Sequence, residues 1–123
     1  MSTEDIISFD NQTSIPALFR FRAQTLKNKV AMREKHFGIW RTFSWEQYYS
    51  DSARIGKAMM TLGLESGQTV SILADPCKEW LFFDLAAQCI GCVSCGIYAT
   101  DSAPQILHIC EDSDTTLLMV ENE

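Results

Sequence analysis

The chain has 123 residues, 46% of them hydrophobic, which suits one domain or a piece of one with a moderate core and excludes a disordered polypeptide. Its formal net charge of −6 argues against nucleic acid as the main partner, because phosphate binding rests on Lys and Arg. Residues 1–60 hold nine basic and six acidic side chains and residues 61–123 one basic and ten acidic, which reads as a solvated acidic face or as a piece whose complement is basic.

Residues 1–12 are polar and acidic, without the apolar segment of a secretory signal, and are expected to be a flexible N-terminus. No apolar run approaches the ~20 residues of a transmembrane helix. Five cysteines, an odd number with no secretory signal, read as free thiols in a cytoplasmic protein.

Thr13 or Ser14 caps a first helix, with Pro16 in its first turn and Ile15, Leu18, Phe19, Phe21 and Leu26 as its apolar set. Arg20, Arg22, Lys27 and Lys29 crowd it. Such a segment can meet an anionic membrane, but its short stripe favours an ordinary surface helix. Val30–Lys35 and Ile39–Phe43 read as a hairpin turning at His36–Gly38. Ser44-Trp45-Glu46-Gln47 is a capping box, with Phe43 and Tyr48 placed as its hydrophobic staple. The helix behind it carries Trp45, Tyr48, Tyr49, Ser52, Ile55, Gly56, Met59 and Leu62 on one side and ends at Gly63. The pair Met59–Met60 reads as core filler.

The rest of the chain is organised around a βαβ unit: a strand over 69–74, a helix over 76–90 and a strand over 93–98. The first strand is continuously apolar or β-forming, as in a sheet covered on both faces. Asp75 is expected as N-cap and Pro76 as the first helical residue. On that reading, a turn without glycine and with an acid on the helix dipole rejects a phosphate site. Asp84 reads as solvated, with a buried, partnered carboxylate as the alternative. Gly96 permits a close approach of another group. Ser102 and Gln105 form a second capping box opening a helix with Ile106 to Cys110, a turn follows at Asp112–Asp114, and Thr115–Val120 is a third parallel strand.

The spacing Cys89-x-x-Cys92-x-x-Cys95 imitates an iron–sulfur run. It lacks the closing Cys-Pro, and its members straddle a helix end and a strand, so core thiols are the better reading. Cys77, in the first turn of a helix, is placed where the dipole can lower a thiol pKa, but with no base in view it reads as unreactive. His36 in a turn has no second ligand near in sequence, and His108 reads as a helix-face histidine.

An ordered series of short motifs carries a resemblance. Trp40-Arg41-Thr42-Phe43-Ser44-Trp45-Glu46-Gln47-Tyr48, the run from Leu62 to Leu73 (with Gln68 where an acidic residue is usual), Glu79-Trp80 with Asp84-Leu85-Ala86, Gly96-Ile97-Tyr98-Ala99-Thr100 with Asp101-Ser102, then Asp112-Ser113 and Val120-Glu121 together resemble the opening of AMP-forming long-chain acyl-CoA synthetases. The match runs from about Pro16 to Asn122. Glu79-Trp80 and Gly96–Thr100 fit the long-chain branch better than luciferases or peptide-synthetase adenylation domains.

The resemblance implies a ligase that activates a fatty acid with ATP and Mg²⁺ to an acyl-adenylate and passes the acyl group to CoA. The family's Ser/Thr/Gly-rich phosphate loop with its lysine, its adenine and ribose motifs and its catalytic C-terminal lysine are not found among these residues. The expectation is therefore an α/β fold: a partial three-layer parallel sheet with flanking helices, preceded by an N-terminal helix and a short β-hairpin. Residues 13–123 would form the first part of a large N-terminal domain, inactive by itself. No catalytic, cofactor-binding or metal residue is assigned, and ATP, Mg²⁺ and CoA belong to the full-length family enzyme. The expected partners are the remainder of a ligase chain and, in the complete enzyme, a fatty acid; a peripheral membrane contact and a second copy paired at an open sheet edge are left open. The alternative is a small non-enzymatic α/β interaction module.

Overall fold

The computed structural model describes residues 12–121, so the expected flexible segment 1–12 lies outside the described residues apart from Gln12. Helix α1 (Ile15–Leu26) starts where Ser14 Oγ accepts the Ala17 N–H at 3.2 Å. Strands β1 (Val30–His36) and β2 (Ile39–Ser44) form an antiparallel hairpin. Helix α2 (Trp45–Thr61) follows without a break, opened by the expected box: Gln47 N–H donates to Ser44 Oγ at 3.1 Å, and Ser44 N–H donates to Gln47 Oε1 at 2.9 Å.

The second sheet is parallel, in the order β4-β3-β5, with β3 (Thr69–Leu73) between β4 (Val93–Ile97) and β5 (Thr115–Val120). Helix α3 (Lys78–Cys89) connects β3 to β4, and α4 (Ala103–Asp112) connects β4 to β5. The two crossovers step in opposite directions from β4 and β3. The right-handed rule for such connections therefore places α3 and α4 on opposite faces. Val70, Ser71 and Ile72 of β3 are fully buried, as a central strand covered on both sides must be. The expected α/β architecture is the one observed.

Two apolar clusters hold the layers. Met59, Leu64, Val70, Ala86, Ala87 and Cys92 join α2, α3 and the sheet. Phe19, Tyr48, Phe82 and Leu85 join α1, α2 and α3, and Ile55 packs against both sets. The Tyr48 ring sits 4.6 Å from Phe19 and 5.6 Å from Phe82, centroid to centroid. Gly56 lets α2 approach α3: a Cβ there would stand 3.2 Å from Ile90 Cγ2.

Several expectations are corrected. Helix α3 begins at Lys78, not Pro76, and its N-cap is Cys77, without a side-chain hydrogen bond, rather than Asp75. Asp75 is held elsewhere, its N–H donating to Glu121 Oε2 at 2.9 Å, so 74–76 leave β3 as a loop tied to the end of β5. Leu62 is the C-cap of α2 and exposed, and Leu64, two residues on, enters the core in its place. Met59 is buried but Met60 is 52% exposed, because adjacent helical residues point about 100° apart and only one can face α3.

Candidate functional site

A cleft of about 920 Å³ opens at the C-terminal ends of β3 and β4. Its floor is Ala74–Lys78 with Trp80 and Leu81, one wall is Gly96–Thr100, and the other is β1 from Met32 to Lys35. Strand ends beside a crossover helix are where open α/β sheets place ligands, because the loops there are free to vary.

The wall and floor meet at one contact. A Cβ on Gly96 would lie 3.2 Å from Trp80 Cζ2, so the strand backbone needs glycine to accept the indole edge. Glu79-Trp80 and Gly96–Thr100, far apart in sequence, thereby share one cleft. The sequence signalled this only through Gly96. Tyr98, 79% exposed, stands beyond the end of β4.

Lys78 ties the hairpin to the helix. Its Nζ donates to both carboxylate oxygens of Glu34 at 3.1 and 3.0 Å, lies 2.7 Å from Glu79 Oε1, and sits 5.7 Å from the centre of the Phe43 ring. The hydrogen bond to Glu79, reinforced by Glu34 against the effect of burial, holds Lys78 above the ordinary lysine pKa. Burial pushes the Glu79 carboxyl upward, but hydrogen bonds from Lys78 and the backbone outweigh it and leave Glu79 below the usual carboxylate range. This triad escaped the sequence reading because Glu34 and Lys78 are 44 positions apart.

The βα turn of this cleft does not fit a nucleotide triphosphate. The βα turn lacks glycine, Glu79 occupies the first turn of α3, and Asp75 and Glu121 stand beside it. The lysine at the helix start is already bound by two carboxylates. Asp75 does not cap the helix and Pro76 lies outside it, so the mismatch rests on these other groups.

The remaining candidates are dispersed. Cys77 shows the reverse of the shift a helix dipole gives: burial pushes its thiol up, with Glu79 and Glu121 adding to the effect. Cys89 is exposed at the end of α3, Cys92 is buried with its thiol on the Glu65 carbonyl, and Cys95 is half-buried in β4. Among the described residues no group of three or more His, Cys, Asp and Glu side chains could hold a metal ion. His36 stacks edge-on against Phe37, and His108 is exposed on α4. Asp84 follows the alternative reading: half-buried, it accepts from Gln88 Nε2 at 2.9 Å and from Ser94 Oγ. Tyr48 is driven up to about 12, first by burial and then by Asp84 and Cys89. No helix among the described residues is long and apolar enough to cross a membrane.

The same architecture recurs in solved structures. The N-terminal subdomain of Klebsiella oxytoca NpsA superposes with a TM-score of 0.81 at 17% identity, covering 90% of this chain and 28% of that one. The fatty acid AMP ligase of Legionella pneumophila gives 0.79 at 19% identity, over 96% of this chain and 20% of that one. In sequence, the long-chain-fatty-acid–CoA ligase ACSBG2 of Mus musculus is 32% identical over 110 residues, 89% of this chain. The chain spans 16% of the length of that relative. The profile described as AMP-binding enzyme matches residues 19–123, and with that match over most of its length the chain belongs to the AMP-binding enzyme family.

Proposed function

We propose that residues 13–123 form the first part of the large N-terminal domain of a long-chain fatty acid–CoA ligase, a structural segment that is inactive in adenylation by itself. The parent reaction would join a fatty acid to AMP at the expense of ATP with Mg²⁺, then transfer the acyl group to CoA in the cytoplasm. The remainder of a ligase chain is the partner this reading requires. The observation that carries it is the seating of Trp80 on Gly96, which brings Glu79-Trp80 and Gly96–Thr100 into one cleft. The 32% identity with mouse ACSBG2 favours the long-chain branch. The inactivity is inferred from the chemistry of the βα turn: it has no glycine, and the lysine at the helix start is held by Glu34 and Glu79.

The test uses two proteins. The 123-residue chain with palmitate, ATP and Mg²⁺ should give no ATP–pyrophosphate exchange above blank, and measurable exchange would refute its inactivity. A chimera in which this chain replaces the matching 110 residues of mouse ACSBG2 should form palmitoyl-CoA. A chimera that folds and binds ATP but makes no palmitoyl-CoA would instead favour the non-enzymatic interaction module.

A further inference from the structure

The tip of the β1–β2 hairpin is the most exposed apolar feature among the described residues. Phe37 is 92% exposed, Ile39 68% and Trp40 63%. The turn is a tight one with positive φ at both central residues, Phe37 at +47° and Gly38 at +78°. That geometry is native to Asn-Gly, and a bulky aromatic at positive φ is a conformational outlier. An apolar ring is thus held, against its backbone preference, at the position most open to solvent.

The charge around the tip is one-sided. Between Arg20 and Arg41 lie seven of the chain's ten basic residues and one acid, Glu34, in a protein of net charge −6. Glu34 is already engaged by Lys78. In the hairpin register Lys35 faces Trp40 and Arg33 faces Thr42 on one side of the ribbon, while Arg41 faces Glu34 on the other. Cations therefore flank the tip on both faces, with Lys35 Nζ 5.8 Å from the Trp40 ring centre.

We propose that this hairpin tip is a docking element for an anionic lipid surface. Phe37, Ile39 and Trp40 enter the acyl boundary, and Arg33, Lys35 and Arg41 engage the headgroups. The dimensions match. At roughly 3.4 Å per residue, Lys35 and Arg41 stand about 7–10 Å behind the turn, and interfacial elements bury their apolar part by about 5–10 Å. A tryptophan at the rim, amphipathic and beside a lysine, is the usual occupant of that depth. An acidic protein would be steered by the same cations. The aromatic ring held at the apex at positive φ and 92% exposed favours a fluid apolar medium instead.

The test is vesicle sedimentation of the intact chain, with brominated lipid to report Trp40. Vesicles containing phosphatidylserine should bind about tenfold more tightly than phosphatidylcholine alone, and added salt should erase the difference. Phe37→Asn suits the positive φ and should keep the circular dichroism and melting temperature while weakening vesicle binding about fivefold or more. Joint replacement R33Q/K35Q/R41Q should remove the preference for phosphatidylserine. The idea fails if vesicles do not bind, if phosphatidylcholine binds equally well, or if folded Phe37→Asn binds like the parent. It also fails if sedimentation without lipid shows a dimer that Phe37→Asn dissociates, or if the mouse ACSBG2 chimera binds vesicles no better than its own Phe37→Asn form, since a second copy or the remainder of the ligase chain would then be what covers the tip.

Discussion

Single side chains in the helical layer carry stability consequences that follow from burial. Ser52, 1% exposed on α2, has a hydroxyl with no hydrogen-bond partner. Such a group keeps its desolvation cost without recovering a bond. Ser52→Ala should therefore raise stability by about 1 kcal/mol in urea unfolding, against the usual direction for a buried substitution. Tyr48 gives a second residue-scale prediction. Its phenol is held protonated to about pH 12 in the folded chain and ionises near 10 when unfolded. The native state thus binds the proton more tightly. This contribution is complete below pH 10 and is lost as pH rises from 10 toward 12. The loss should be on the order of 2 kcal/mol, seen as a falling urea midpoint. Tyr48→Phe should lack that alkaline limb.

Between elements, the tie from Lys78 to Glu34 decides how firmly the hairpin rests on α3. Both side chains are about a quarter to a third exposed, and water screens the pair. Glu34→Gln should cost only about 1 kcal/mol of global stability, yet raise the amide exchange of β1 relative to that of α3. A uniform rise across the whole chain would show that the pair serves the core and not the hairpin. Asp84 works at a second junction, joining α3 to Ser94 of β4. Asp84→Ala should cost about 1–2 kcal/mol by thermal melting, because Ser94 and Gln88 lose their acceptor.

Across the whole molecule, β3 is the element on which the rest depends. It is paired on both sides and covered on both faces, so its amides should exchange only through global unfolding. The outward amides of β4 and β5, at the two margins of the three-stranded sheet, should exchange faster, as hydrogen exchange read by NMR would resolve. Equal protection across all three strands would mean that another strand caps an edge, and that the chain associates with a second copy in solution.

The elements were legible in the sequence wherever their signals are local. Ser44 and Gln47 mark the start of α2 within four residues, and the apolar run 69–73 marks a covered strand, because capping and strand burial are written at short range. The start of α3 was misread for the same reason. Asp75-Pro76 has the local chemistry of a cap, but the chain stays extended through Cys77, which caps the helix instead, and Glu121, 46 residues away, holds the Asp75 N–H in the loop. The thiol of Cys77 went the wrong way because burial among distant residues outweighs a dipole inferred from position. The sequence by itself determined the order of strands and helices, the parallel sheet and the motifs of the family, since periodicity and caps act between neighbours. Only the tertiary structure decided that Trp80 meets Gly96, that Lys78 binds Glu34 and that Phe37 stands bare at the apex of a cationic hairpin, since those contacts depend on chain closure across dozens of residues.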